Sequence, residues 1–324
     1  MSSGSSSNLS LSEKLAAGQN GIVLYGLTPP KIGQPNEKLR EIAGRQLARI
    51  AQLRPHLDGL VLYDLQSEEE RTSVERPFPF VETLDPDHNR REYLSELLLT
   101  LPAIIYRCVG KYSADELEHW LQTTAADSTR ETATVFVGAA SRSQKTQLSM
   151  SAAYRLRQND PNAARIALGG VAIPERHTGR EDEHERLLSK TRSGCSFFIT
   201  QAVYNIEASR NLLSDYYYLC EREGVAPRPI ILSFAPCGSQ KTLEFMQWLG
   251  VHIPRWLEND LRHSGNILEA SYRHCVRAAR ELIEYAGNNG IPVGCNIESV
   301  AVRKAEIEAS LELVAEIAGL FQKS

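Results

Sequence analysis

Apolar, β-branched runs of five to seven residues recur along the chain, separated by longer stretches whose apolar positions repeat with helical spacing. The first pattern predicts strands buried on both faces, the second amphipathic helices. Strands are expected at 21–26, 59–64, 103–108, 133–138, 166–172, 196–200, 229–234 and 291–296. Helices are expected at 36–53, 90–100, 113–122, 146–158, 181–193, 205–223, 239–249 and 267–287, with a last amphipathic helix over 300–321. Ser113 followed by Glu116 forms a capping box. Pro254 suits the first position of a further helix over 254–262.

Eight strand–helix units in 324 residues are the pattern of an α/β chain folded as a single-domain (β/α)8 barrel of the TIM type. An open doubly wound sheet would carry a Gly-rich loop after the first strand; the segment there is GLTPPK (26–31). The barrel is expected over 19–324, behind a flexible Ser-rich arm at 1–18. The polar, proline-containing stretch 65–90 is long enough to suggest a functional loop.

Composition narrows the classes. With 42% hydrophobic and 23% charged residues, a large core is available. A net charge of -4 gives no basic field for nucleic acid or an anionic membrane. No run of 18 apolar residues marks a membrane span, and the first residues lack the pattern of a signal peptide, so a cytoplasmic protein is expected. The six cysteines include no C-x-x-C pair, which argues against a metal site or a disulfide framework; most are expected to be buried thiols. A homo-oligomer is compatible with all of this.

In a barrel, chemistry gathers at the C-terminal strand ends. Those ends carry Thr28 and Lys31, Asp64 and Gln66, Arg107, Ser141 and Arg142, Glu175 to His177, Thr200 and Gln201, Pro236, and Asn296 with Glu298. A rim of mixed polarity suits a polar small molecule. Taken singly, each has an ordinary structural explanation: a strand-end glutamine caps backbone, and a rim carboxylate forms an ion pair. The acidic run Glu181 to Glu185 suits a helix N-terminus. CGSQKT (237–242) lacks the glycine spacing of a phosphate loop.

Pro174-Glu175-x-His177, then Leu187 to Lys190, Gly194 and Ile199-Thr200-Gln201, together resemble the methylenetetrahydrofolate reductase family. Tyr63 with Glu70-Arg71-Thr72, Asp115-Glu116-Leu117, Pro229 to Pro236 and Ile253-Pro254-x-Trp256 extend the resemblance over about residues 21–300. It implies a (β/α)8 barrel that reduces a folate one-carbon unit with NAD(P)H through bound FAD. It also implies roles. Gln201 would meet the pterin, with Thr28 and Gln240 as further substrate contacts. Lys190 would approach the flavin phosphates or ribityl chain, His177 the adenosine side and Glu183 a ribose. Tyr63, Ser141 and Glu175 complete the implied cofactor set.

The departures are as informative. The family's strand-one glutamate, its presumed acid, aligns with Gly26, and its strand-four acidic motif aligns near Val137-Gly138-Ala139. Glu298 is the first replacement candidate for the acid and Asp64 the second. The resemblance thus leaves open a flavin-dependent reductase, a flavin-free one, a non-catalytic folate- or pterin-binding barrel, and a pterin-linked one-carbon (methyl) transferase.

Overall fold

Strand β1 (Val23–Leu27) pairs in parallel with both β2 (Gly59–Leu62) and β8 (Val293–Ile297), and those two contacts close the sheet. Between them run β3 (Ala103–Cys108), β4 (Thr132–Val137), β5 (Leu168–Ala172), β6 (Cys195–Ala202) and β7 (Ile230–Phe234), each hydrogen-bonded to its sequence neighbour. The result is the expected eight-stranded parallel barrel. The computed structural model describes residues 9–67, 72–95, 101–139 and 144–322.

Twelve α-helices occur among the described residues: α1 (Leu11–Ala16), α2 (Asn36–Leu53), α3 (Pro86–Tyr93), α4 (Ala114–Ala126), α5 (Met150–Asn159), α6 (Pro174–Arg180), α7 (Glu183–Arg192), α8 (Ile206–Arg222), α9 (Gln240–Trp248), α10 (Arg255–His263), α11 (Ile267–Asn288) and α12 (Lys304–Phe321). None is long and apolar enough to cross a membrane. Two differ from the sequence pattern for local reasons. Helix α3 starts before the expected position 90 because Asp85 caps it, accepting from Asp87 and His88 N–H, with Pro86 next. Helix α6 falls where a loop was expected. Pro174 starts it, and Glu181, in the left-handed region at φ 55°, ends it.

Two cores follow from the alternation of side chains along each strand. Outward-facing residues pack under the helices. Inward-facing Leu24, Val61, Ile104, Val135, Phe197, Ile199 and Ile231 fill the barrel itself. Gly169 makes room for one of them, since a Cβ there would lie 2.4 Å from the Phe197 ring.

The arm expected at 1–18 is corrected over its second half. Ser10 and Glu13 form a capping box, and Leu11 and Leu15 of α1 are buried against the barrel interior. A Cβ on Gly59, the first residue of β2, would come within 2.8 Å of Leu11, so α1 closes the N-terminal end. Lys14 pairs with Asp58, whose other oxygen accepts from Val23 N–H, fixing α1 to the start of β1. All six cysteines are buried.

Candidate active site at the barrel mouth

Glu298 follows the last residue of β8, and its side chain lies against Gly26 of β1. A Cβ on Gly26 would sit 3.0 Å from the Glu298 Cβ and 2.9 Å from the Tyr63 ring. Both contacts are tighter than ordinary packing, so a side chain at this point of β1 would force Tyr63 or Glu298 to shift. The space a strand-one residue would use is occupied from the two flanking strands, by Glu298 beyond β8 and Tyr63 beyond β2.

The polar atoms here form a chain. Asn296 Nδ2 donates to Ser233 Oγ at 3.2 Å and to the Tyr63 hydroxyl at 2.8 Å. The Tyr63 hydroxyl and Glu298 Cβ each lie 3.0 Å from the point a Cβ on Gly26 would occupy. Tyr106 packs edge-on to Tyr63, with ring centroids 4.9 Å apart. Burial raises the pKa of Glu298 above the ordinary carboxylate value, and the nearby Tyr63 hydroxyl opposes that rise. Burial also holds Tyr63 and Tyr106 well above the usual phenol value, so both stay protonated. The mouth therefore offers an aromatic wall and one acid that holds its proton to higher pH than an ordinary carboxyl.

Asp64 is differently placed. It accepts from Cys108 N–H at 2.8 Å and the Tyr112 hydroxyl at 2.9 Å, and it pairs with Lys111. This buried carboxylate anchors the β2–β3 corner and is not the free acid expected as the second candidate. Arg107, counted on the rim, turns outward to pair with Asp85 and stack on Trp120 at 4.1 Å.

Gln201 Nε2 donates to the Leu249 carbonyl at 2.6 Å, tying β6 to the segment after α9. Glu175 reaches the same segment by accepting from His252 N–H; its buried Oε2 has no partner, and burial pushes its pKa up to about 7. Thr28 is exposed at the edge of the mouth, and its carbonyl accepts from Gln46. Gln240 opens α9 and lines a recess of about 470 Å³ with Glu75, Arg76 and Lys241, apart from Glu298.

The residues expected to hold a flavin are committed elsewhere. His177 Nε2 lies 2.9 Å from an Asp215 carboxylate oxygen of α8. Glu183 is fully buried, accepting from Ile173 N–H and pairing with Arg176. Lys190 donates to the Val171 carbonyl, and burial lowers its pKa. These contacts knit α6, α7 and β5 together. Ser141 lies outside the described residues.

The stretch flagged as a long loop has a definite course where it is described. Trp248 Nε1 donates to the Val74 carbonyl at 2.9 Å, and the Arg76 guanidinium stacks over Phe245 at 4.9 Å and Trp248 at 5.2 Å. Its return limb pairs with the β1 loop through Ile32 N–H to Glu82 O and Leu84 N–H to Pro30 O. The loop thus bridges β2 to α9, beyond β7, on the β1 and β8 side of the mouth. Tyr106 and Ser233 were not singled out beforehand. The available signal was alternation: Ile104 faces inward, so Tyr106 two residues later does too.

Neither a family model nor a curated protein matches the chain. Among solved structures, EDTA monooxygenase from Chelativorans sp. BNC1 is similar at a TM-score of 0.53 and 10% identity, covering 94% of each chain; at that identity the likeness is one of fold. An uncharacterized protein from Clostridium thermocellum, described as binding two copies of 5-methyl-5,6,7,8-tetrahydrofolic acid, superposes with a TM-score of 0.83. It covers 96% of this chain and 99% of its own at 46% identity, and the chain belongs to the same family as this methyltetrahydrofolate-binding barrel.

Proposed function

We propose that the chain binds a reduced folate at the barrel mouth and reduces its one-carbon unit with NAD(P)H, as a methylenetetrahydrofolate reductase-like oxidoreductase whose acid is Glu298. The observation that carries this reading is the position of Glu298. It fills the space beside Gly26, where the resemblance puts the acid, and burial raises its pKa above the ordinary carboxylate value. The relative's ligand, 5-methyltetrahydrofolate, is the product of the proposed reaction.

The chemistry balances with one acid and one hydride donor. The bond from the bridging methylene to N10 breaks as N10 takes the Glu298 proton, leaving an iminium cation at N5. The Glu298 carboxylate so formed stabilises that cation by opposite charge. Hydride from the nicotinamide then gives the N5-methyl group and oxidised nucleotide, and solvent reprotonates Glu298. Tyr63 and Tyr106 supply a neutral wall for a flat ring. His177, Glu183 and Lys190 are engaged with protein partners, and in this reading hydride passes directly from nicotinamide to folate.

The engagement of His177, Glu183 and Lys190 also favours a second reading, a folate-binding barrel without redox chemistry. One experiment separates the two. The purified protein is mixed with methylenetetrahydrofolate and NADH or NADPH, and nucleotide oxidation is followed; the visible spectrum reports flavin. Turnover by colourless protein supports direct transfer. Glu298→Gln should then lower kcat on the order of 100-fold, the scale of a lost general acid. Tight 5-methyltetrahydrofolate binding with no turnover on either nucleotide would leave the binding barrel.

A further inference from the structure

A recess of about 760 Å³ lies between α10 and α11, and none of the residues described at the mouth lines it. Its floor is apolar, because Leu257 and Leu261 form the buried stripe of α10. Trp256 lies off that stripe. Its indole is 50% exposed, so it adds little to the core and leaves part of its ring open to the recess. Arg273 and Arg277 stand four residues apart on one face of α11, and both line the same space. Arg277 is held in place by His274, which is 3% exposed. His274 Nε2 lies 3.1 Å from the Tyr204 carbonyl, which can only accept, so that nitrogen carries the proton. Nδ1 of the neutral ring is then an acceptor, and Arg277 Nη2 donates to it at 3.0 Å. Burial, helped by the Arg277 charge, lowers the His274 pKa to about 4, which keeps the ring neutral near pH 7. The same guanidinium lies 5.2 Å from the centre of the Trp256 ring. An aromatic surface and a fixed cation are thus presented together.

We propose that this recess is a binding site separate from the mouth, for a planar aromatic ring carrying an anionic tail, with the anion on Arg277 and Arg273 and the ring against Trp256. Guanidinium forks pair with phosphate and carboxylate alike, so the shared chemistry covers a nucleotide phosphate and the glutamate carboxylates of a folate. Each arginine has an acidic neighbour on its own helix: Glu269 is 3.1 Å from Arg273, and Glu281 is 4.0 Å from Arg277. Both pairs are exposed and therefore weak, so they yield to a ligand that brings its own anion. Asn259 and Asp260 line the α10 side. They disfavour a second anion there and suit ring N–H donors, such as the exocyclic amine of an adenine or a pterin. The orientation follows, tail toward α11 and ring donors toward α10. The inference goes beyond the reductase reading and does not depend on Glu298.

The test is calorimetric titration of the full chain with AMP, 5-methyltetrahydrofolate, adenosine and inorganic phosphate. The expected result is that AMP or 5-methyltetrahydrofolate binds and that Arg277→Gln weakens this binding on the order of tenfold, the scale of one charge-assisted hydrogen bond. Trp256→Ala should weaken it by a similar factor through lost stacking. Which of the two probes responds tells phosphate from carboxylate as the tail. Adenosine, a ring without the tail, and phosphate, a tail without the ring, should each bind about tenfold or more weakly than the responding probe; phosphate binding as tightly would refute the role of the ring. Both substituted side chains are half-exposed, so the variants should keep the urea midpoint of the wild type. Glu298→Gln separates the mouth: the component lost in Arg277→Gln should remain there, and its disappearance would place the ligand at the mouth and overturn the proposal. An Arg277-dependent titration in a protein that oxidises neither nucleotide would uphold this site and refute the reductase reading. No binding of either probe, or equal affinities in wild type, Arg277→Gln and Trp256→Ala, overturns the proposal.

Discussion

Gly26→Ala is the most direct challenge to the proposed arrangement of the mouth. The new methyl group would lie 2.9 Å from Tyr63 Cε2, 3.0 Å from the Tyr63 hydroxyl and 3.0 Å from Glu298 Cβ. Favourable carbon contacts lie near 3.5–4.0 Å, so at least two side chains must move by about half an ångström or more. Overpacking of this kind costs about 1–3 kcal/mol. Loss of glycine freedom in the unfolded chain returns about 0.4–1 kcal/mol. The net expectation is a destabilisation of about 1–2 kcal/mol, read from the urea midpoint at unchanged slope. Because the displaced atoms belong to Tyr63 and Glu298, turnover should fall further than stability, by roughly tenfold or more for a misplaced acid. In a double-mutant cycle with Tyr63→Ala, which removes the ring atoms the methyl meets, part of the stability loss should return as a coupling of about 1 kcal/mol. If Gly26→Ala equals the wild type in both stability and turnover, the steric reasoning about β1 is wrong.

Three further outcomes follow from other parts of the structure. Burial moves Glu175 from 4.5 to about 7, so its contribution to stability is complete below the unfolded value and is lost as pH rises through about 7. That contribution is at most about 3 kcal/mol; Glu175→Gln should flatten the fall in Tm between about pH 5 and 8, and parallel Tm profiles would contradict the assignment. Gln201→Ala releases the Leu249 carbonyl and should weaken folate-dependent turnover by roughly tenfold, with faster amide exchange in residues 249–252; near-normal kinetics would remove Gln201 from the substrate's surroundings. Leu15→Ala, at the closed N-terminal end, should cost about 2–5 kcal/mol as a core truncation while leaving 5-methyltetrahydrofolate affinity intact. A Leu15→Ala protein of wild-type stability would mean that α1 does not seal the barrel.

Much of the barrel was legible because its strands are buried on both faces. The run AIIYRC, for example, coincides with β3 at Ala103–Cys108, and α2 coincides with the expected 36–53. Local chemistry was less visible where it depended on distant partners. The arm before residue 19 looked too polar to fold, yet Leu11 and Leu15 find an apolar surface made by strand starts remote in sequence. Asp64 and Glu298 looked alike as acids at strand ends. What separates them is company: Asp64 is met by a lysine, a phenol and a backbone N–H, Glu298 by one phenol. The resemblance nominated His177, Glu183 and Lys190 for a flavin, and in the fold those three hold α6, α7 and β5 together.

The sequence by itself determined the order of the strands and of most helices, because hydrophobic period and capping chemistry act over a few residues at a time. It also revealed that β1 carries no acid. Only the tertiary structure decided what that gap means. Closing the sheet brings β8 beside β1, so a residue 272 positions later in the chain stands where Gly26 leaves room. Proximity of that kind is created by barrel closure, and no local pattern in the chain encodes it.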